Sequence, residues 1–109
     1  MSNRSAAAHD LPVRLCMRAD LGVSPQIQDG RKRWVLKDPI ALQYFRISEQ
    51  QYAVLQLLDG AHSLSEIRES LRQQFPRLAM TYSRLNALII QLHRSGLAYS
   101  QSIGQDGTI

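Results

Sequence analysis

Three histidines and one cysteine are the side chains most able to carry chemistry in this sequence, and their spacing argues against it. His9, His62 and His93 lie far apart, and none stands in a ligand spacing such as H-E-x-x-H. That motif puts two imidazoles on one helical face with a glutamate as base. His93 falls near the end of a helical stretch, where a cation interacts favourably with the helix dipole. His62 precedes a helix cap, and His9 belongs to a polar terminus. Cys16 with a histidine would make a nucleophilic pair, but no third group is placed to orient the base. A lone thiol forms neither an internal disulfide nor a thiolate metal site, which suits a reducing compartment. The glycines at 22, 30, 60, 96, 104 and 107 never gather into a phosphate-cradling run and read as turn and cap residues. The expectation is therefore no catalytic residue, no metal and no cofactor.

What remains is the chemistry of binding. The net charge of +4 and a pI near 9.7 raise the question of an anionic partner. Residues 1–47 hold eight basic and four acidic side chains, and residues 48–109 hold five of each, so the surplus lies in the first half. Its focus is Arg31-Lys32-Arg33 with Lys37. Such a run is either a solvated strand surface or a contact for nucleic acid or an acidic peptide. Tyr44 alternates with Phe45, so it falls on an outer face or sheet edge while Phe45 points inward.

The elements that position these residues follow from the pattern along 109 residues and 12.4 kDa, enough for one domain. Forty-four per cent of residues are apolar and 20 % charged, an ordinary globular balance. No apolar run approaches the roughly 20 residues that span a bilayer, and the N-terminus has no signal-peptide core. Asp29-Gly30 separates two extended stretches, Val23–Gln28 and Arg31–Lys37, and suits the positive φ of a two-residue hairpin turn. Asp38-Pro39 ends the second stretch. Gln43–Ile47 is a third strand. Ser48 with Gln51, and Ser63 with Glu66, are capping boxes that open two helices. Ile47 and Tyr52 are spaced as a staple around the first, and Asp59-Gly60 is expected to close it. Pro76 ends the second helix. A third runs from Thr81 or Ser83 to Ser95-Gly96, and Leu97-Ala98-Tyr99 returns as a short strand.

These elements predict an α+β winged-helix domain, a three-stranded antiparallel sheet followed by three helices, over residues 13–99. Residues 1–12 read as a disordered tail and 100–109 as a flexible tail or linker. The expected core is Trp34, Leu36, Phe45, Ile47, Tyr52, Leu55, Leu58, Leu64, Ile67, Leu71, Phe75, Leu85, Leu88, Ile89 and Leu92.

Two binding readings follow. A sheet placed before the helices has an edge, which can accept an extended peptide as a further strand. The expected peptide site is Tyr44, Phe45, Arg46 and Ile47 on the third strand, with Arg84, Leu85 and Leu88 of the third helix beside it. The alternative is a DNA-binding domain in which the third helix enters the major groove through Arg84, Asn86, Gln91 and Arg94. Two arginines are few for a helix among phosphates, and the basic run lies elsewhere, so nucleic acid is the weaker expectation.

The segments Trp34-Val35-Leu36, Tyr44-Phe45-Arg46-Ile47, Leu57-Leu58-Asp59-Gly60, Ser63-Leu64-Ser65-Glu66-Ile67 and Leu92-His93-Arg94-Ser95-Gly96-Leu97 together resemble the PqqD-like family. Its members are the small winged-helix domains also called RiPP recognition elements. In that family a strand hairpin precedes three helices, an Asp-Gly pair follows the first helix, and a Ser/Thr-x-x-Glu-Ile box opens the second. The resemblance covers about residues 14–99. It implies a bacterial peptide- or protein-binding module that uses the third-strand edge. Phe45-Arg46 stands where the family commonly carries Leu-Asn, so the ligand is left open. The chain also looks like the N-terminal cytosolic module of membrane zinc metallopeptidase-like or hemolysin-D-like secretion proteins. That setting implies a fragment of a longer chain, a cytoplasmic location without membrane insertion of its own, and a partner that includes another domain of the same chain.

Overall fold

Two capping boxes and a hairpin turn organise the chain. The structure is a computed structural model that describes residues 9–100. Its strands are β1 (Leu15–Met17), β2 (Gly22–Gln28), β3 (Arg31–Asp38), β4 (Gln43–Ser48) and β5 (Ala98–Ser100), with helices α1 (Glu49–Leu57), α2 (Leu64–Gln74) and α3 (Tyr82–Arg94) between β4 and β5. β2, β3 and β4 form an antiparallel meander, and β1 pairs with β5 in a second, two-stranded sheet. The class is thus α+β with a three-stranded antiparallel sheet and three helices.

Each boundary has a local cause. Asp29 and Gly30 both take positive φ (52° and 75°), the backbone of a two-residue hairpin turn whose twist matches its strands. Ser48 Oγ accepts from the Gln51 amide at 3.1 Å while the Ser48 amide donates to Gln51 Oε1 at 2.8 Å. Ser63 and Glu66 repeat this at 3.1 and 2.8 Å. Thr81 caps α3 by accepting from the Arg84 amide. α3 ends in a Schellman motif, with Gly96 (φ 81°) donating to the His93 carbonyl and Leu97 to that of Leu92. Leu92 and Leu97, which that motif brings together, are both buried.

The sequence pattern does not announce β1, and the structure makes it central. Residues 12–17 lie between β5 and the segment that follows α1. Cys16 bridges Asp59 and Pro12 bridges Ser63, while the Met17 amide donates to the Leu58 carbonyl and the Gly60 amide to that of Leu15. Asp59-Gly60 therefore does not close α1 by a glycine cap. The helix stops at Leu57, Leu58 is extended, and the chain runs on alongside β1. Asp59 Oδ1 then accepts from the amides of Ala61 and His62 and contacts His62 Nδ1 at 2.9 Å. Residues 1–8 and 101–109 of the expected tails lie outside the described residues. His9 to Pro12, assigned to the first tail, are docked: the His9 ring stacks on Tyr82 and Asp10 accepts from Ser65 Oγ.

The core gathers Leu36, Ile47, Val54, Leu55, Leu58, Ile67, Leu71, Leu85, Ile89 and Leu92, as the apolar stripes require. Leu21, Ala53, Met80, Leu97 and Ala98 join it. Trp34, Phe45, Tyr52, Leu64, Phe75 and Leu88, expected inside, are partly buried at its margin. Their rings and branches cover the core rather than fill it, and Trp34 lies 4.4 Å from Tyr52 between ring centroids. The inner face of the meander packs on α1, and α3 packs on α1, α2 and β5.

Leu85 is fully enclosed whereas Ile90, on the same helix, is 43 % exposed. Leu85→Ala should cost about 2–5 kcal/mol in urea melts and Ile90→Ala below about 1 kcal/mol. Equal losses at the two positions would mean that α3 presents a different face to the core.

Candidate functional site

Register decides which side chains and which backbone groups of the meander are free. Opposite β3, the pairs are Trp34 with Ile47, Val35 with Arg46, Leu36 with Phe45 and Lys37 with Tyr44; on its other side Trp34 faces Pro25 and Val35 faces Ser24. Directly opposed residues share a face. Trp34, Leu36, Phe45 and Ile47 therefore point toward the helices. Arg31, Arg33, Val35 and Lys37 of β3, with Tyr44 and Arg46 of β4, point to the side that no helix covers. Tyr44 is 66 % exposed, and Lys37 Nζ lies 5.8 Å from the centre of its ring.

Backbone hydrogen bonding alternates in the same register. Pro25 has no amide hydrogen, so opposite Trp34 it fits a pair that exchanges no hydrogen bonds. Trp34 then bonds toward β4, and Ile47, Phe45 and Gln43 use their backbone groups on β3. The Ser48 amide, donating to Gln51 Oε1 instead of to β3, falls in the same parity. Both observations leave the N–H and C=O groups of Tyr44 and Arg46 pointing off the β4 edge. The β2 edge differs, because Pro25 sits in its middle and removes a donor there. Of the meander's two edges, β4 is thus the one with its main-chain groups unpaired and unblunted.

The lead-in to β4 is held by a charged clamp. Arg18 Nη1 donates to Asp38 Oδ2 at 2.7 Å and Nη2 to Asp38 Oδ1 at 3.1 Å. The same guanidinium reaches Asp20 at 2.8 and 3.1 Å and the Gly96 carbonyl at 3.3 Å. Asp38 Oδ1 also accepts from the Ile40 and Ala41 amides, which shapes the loop into β4. Buried beside the guanidinium and holding these amides, the Asp38 carboxyl is lowered to about 2, and the Arg18 guanidinium is raised above its ordinary value. The loop leaves Ile40 and Leu42 80 % and 73 % exposed, and Leu42 takes a φ of 56°, which a non-glycine residue rarely adopts.

The expected site residues divide accordingly. Tyr44 and Arg46 are exposed on the free edge, while Phe45 and Ile47 turn inward. Leu85 is part of the core and presents no surface to a ligand; Leu88 is partly buried. Arg84 is exposed, with Nη1 donating to the Ala79 carbonyl at 3.1 Å. Two grooves lie away from the outward edge of Tyr44 and Arg46. One of about 530 Å³ is bordered by Lys32, Trp34, Tyr52 and Phe75, another of about 530 Å³ by Gly30–Arg33 and Ser48–Gln50. Among the described residues no three His, Cys, Asp or Glu side chains gather where they would hold a metal ion, and no helix is long and apolar enough to cross a membrane. The clamp and the parity of β4 were missed from sequence; Pro25 within a strand was the signal available for the second.

No protein-family model matches the chain, and no curated protein or solved structure matches it significantly.

The depressed Asp38 carboxyl makes stability depend on pH in one direction. A group ionising near 2 when folded and near 3.9 when unfolded stabilises the fold fully above about pH 4, and loses that contribution as pH falls toward 2. Asp59, also lowered to about 2 by His62 and two amides, acts in the same window. Wild-type thermal midpoints should fall steeply from pH 5 to pH 2.5. Asp38→Asn should start lower at pH 7 and fall less, and parallel curves for the two proteins would remove the clamp from this account.

Proposed function

We propose that this chain is a non-catalytic recognition module that takes up an extended peptide or protein segment as an added strand on β4. The observation that carries the reading is the pair of unsatisfied residues, Tyr44 and Arg46, on an edge that neither proline nor a neighbouring element blocks. An added strand would satisfy their two N–H and two C=O groups. Each bond is worth about 0.5–1.5 kcal/mol net, so binding also needs side-chain anchors. Ile40, Leu42 and Tyr44 offer exposed apolar surface at the start of the edge.

The order of elements supports a winged-helix identity for the domain. α1, an extended segment, α2, α3 and β5 follow one another, and β1 is inserted between that segment and β5. This is also the order expected from the PqqD-like resemblance, in which the edge strand before the helices receives the ligand. α3 packs chiefly on α1, α2 and β5, so Arg84 and Leu88, expected beside the third strand, are not counted among the contacts of the β4 edge. The partner is a separate peptide or another domain of the same longer chain, and the setting is the cytoplasm. No metal or cofactor takes part; elemental analysis finding stoichiometric zinc or iron would contradict that.

Amide-shift mapping with candidate segments tests the proposal directly. Binding should perturb Gln43–Ile47. Arg46→Pro removes one outward donor while sparing the bonds to β3, so it should weaken binding at least tenfold with the fold intact by circular dichroism. Arg46→Ala, which keeps the donor, separates the main-chain effect from the side-chain effect. Shifts confined to Arg31–Arg33, with Gln43–Ile47 and Ser83–Leu92 silent, would sink strand addition. Duplex DNA affinity that falls steeply with salt would favour the helix-in-groove alternative.

A further inference from the structure

The side of the meander that no helix covers carries Arg31, Arg33, Lys37 and Arg46, and no Asp or Glu stands at any position of β2, β3 or β4 that shares it. Of the carboxylates near them in sequence, Asp29 and Glu49 sit in the hairpin turn and the first turn of α1. Asp38 has the opposite parity and is committed to Arg18. Among the described residues none of the four cations has an ion-pair partner.

We infer that the strand received on β4 is an acidic one, with carboxylates at every second position, on the face it shares with Arg46 and Lys37. This rests on the strand-addition reading and adds the class of ligand to it. The argument is geometric. Residues of a guest strand opposite Tyr44 and Arg46 must point to the uncovered side, as those two do, whether the guest runs parallel or antiparallel. The guest residue between them turns toward the helices. Arg46 then flanks one outward guest residue directly. Lys37 and Arg33 stand one strand further off, about 10 Å from the guest, slightly beyond the roughly 8 Å screening length of physiological salt, so they act more weakly than Arg46. Side chains on the other guest face meet the surroundings of Phe45 and Ile47, which are apolar.

Charge also excludes the simplest other occupant. A second copy pairing β4 to β4 would bring Arg46 beside Tyr44 or Arg46 of its mate and fuse two cationic faces into one, and like charges opposed across a ladder destabilise it. A guest of opposite sign removes that repulsion.

Three ten-residue peptides test this in fluorescence anisotropy and amide-shift mapping. One alternates Glu with Val or Thr, one carries the same residues with the glutamates in a block, and one alternates Lys in place of Glu. The alternating acidic peptide should bind at least tenfold more tightly than either other, with shifts at Tyr44 and Arg46. Arg46→Glu, whose folding is checked by circular dichroism, should reverse the preference toward the lysine peptide. Equal binding of all three with shifts on β4 would overturn the acidic specificity and leave strand addition standing. Binding without shifts on β4 would overturn both. A single-stranded oligonucleotide that binds across Arg33, Lys37 and Arg46 and displaces the acidic peptide would overturn the inference in favour of nucleic acid.

Discussion

The alternation of backbone hydrogen bonds across the meander governs what this molecule can present. A strand residue bonds either to one neighbour or to the other, so a single residue without an amide hydrogen sets the parity of three strands. Pro25 is that residue. Opposite Trp34 it directs the bonds of Trp34 toward β4, and Tyr44 and Arg46 are left facing outward. The same residue spoils the β2 edge for pairing. One proline thus disables one side of the sheet and orients the other.

Holding that edge in place is the task of the charged clamp. Arg18 follows β1, Asp38 ends β3, and Gly96 lies between α3 and β5, so one guanidinium joins three places that are distant along the chain. Charges so placed lose hydration, and the geometry offsets that loss by satisfying both carboxylate oxygens. Because Asp38 also takes the Ile40 and Ala41 amides, the path into β4 is set from the core side and not by contacts with the solvent-facing loop.

Local signals made much of this fold legible. Both capping boxes, the Asp-Gly hairpin and the three strands of the meander lie within a residue or two of where pattern alone puts them, because each depends on neighbours close in sequence. β1 was not legible. Leu15-Cys16-Met17 has no alternation long enough to read, and it becomes a strand only because residues 58–60 and 98–100 flank it. Asp59-Gly60 misled for the same reason, since its partner strand is more than forty residues away. At the candidate site, the outward placement of Tyr44 and Arg46 followed from period-two alternation. Leu85 could not serve both the core and a groove, and a helical stripe does not say which of its members a neighbouring helix will cover.

The α1 capping box has an effect beyond starting a helix. By engaging the Ser48 amide, Gln51 ends the usable rim of β4 immediately after Ile47, and Leu42 bends the chain away at the other end. A guest strand received as proposed would be gripped along only a few residues, which favours a brief dwell time over a permanent union. For such a guest, the field of the cationic face would speed encounter, and the short rim would make release fast as well. Such a rim suits a partner that is handed on, or one kept close by a tether that raises its effective concentration.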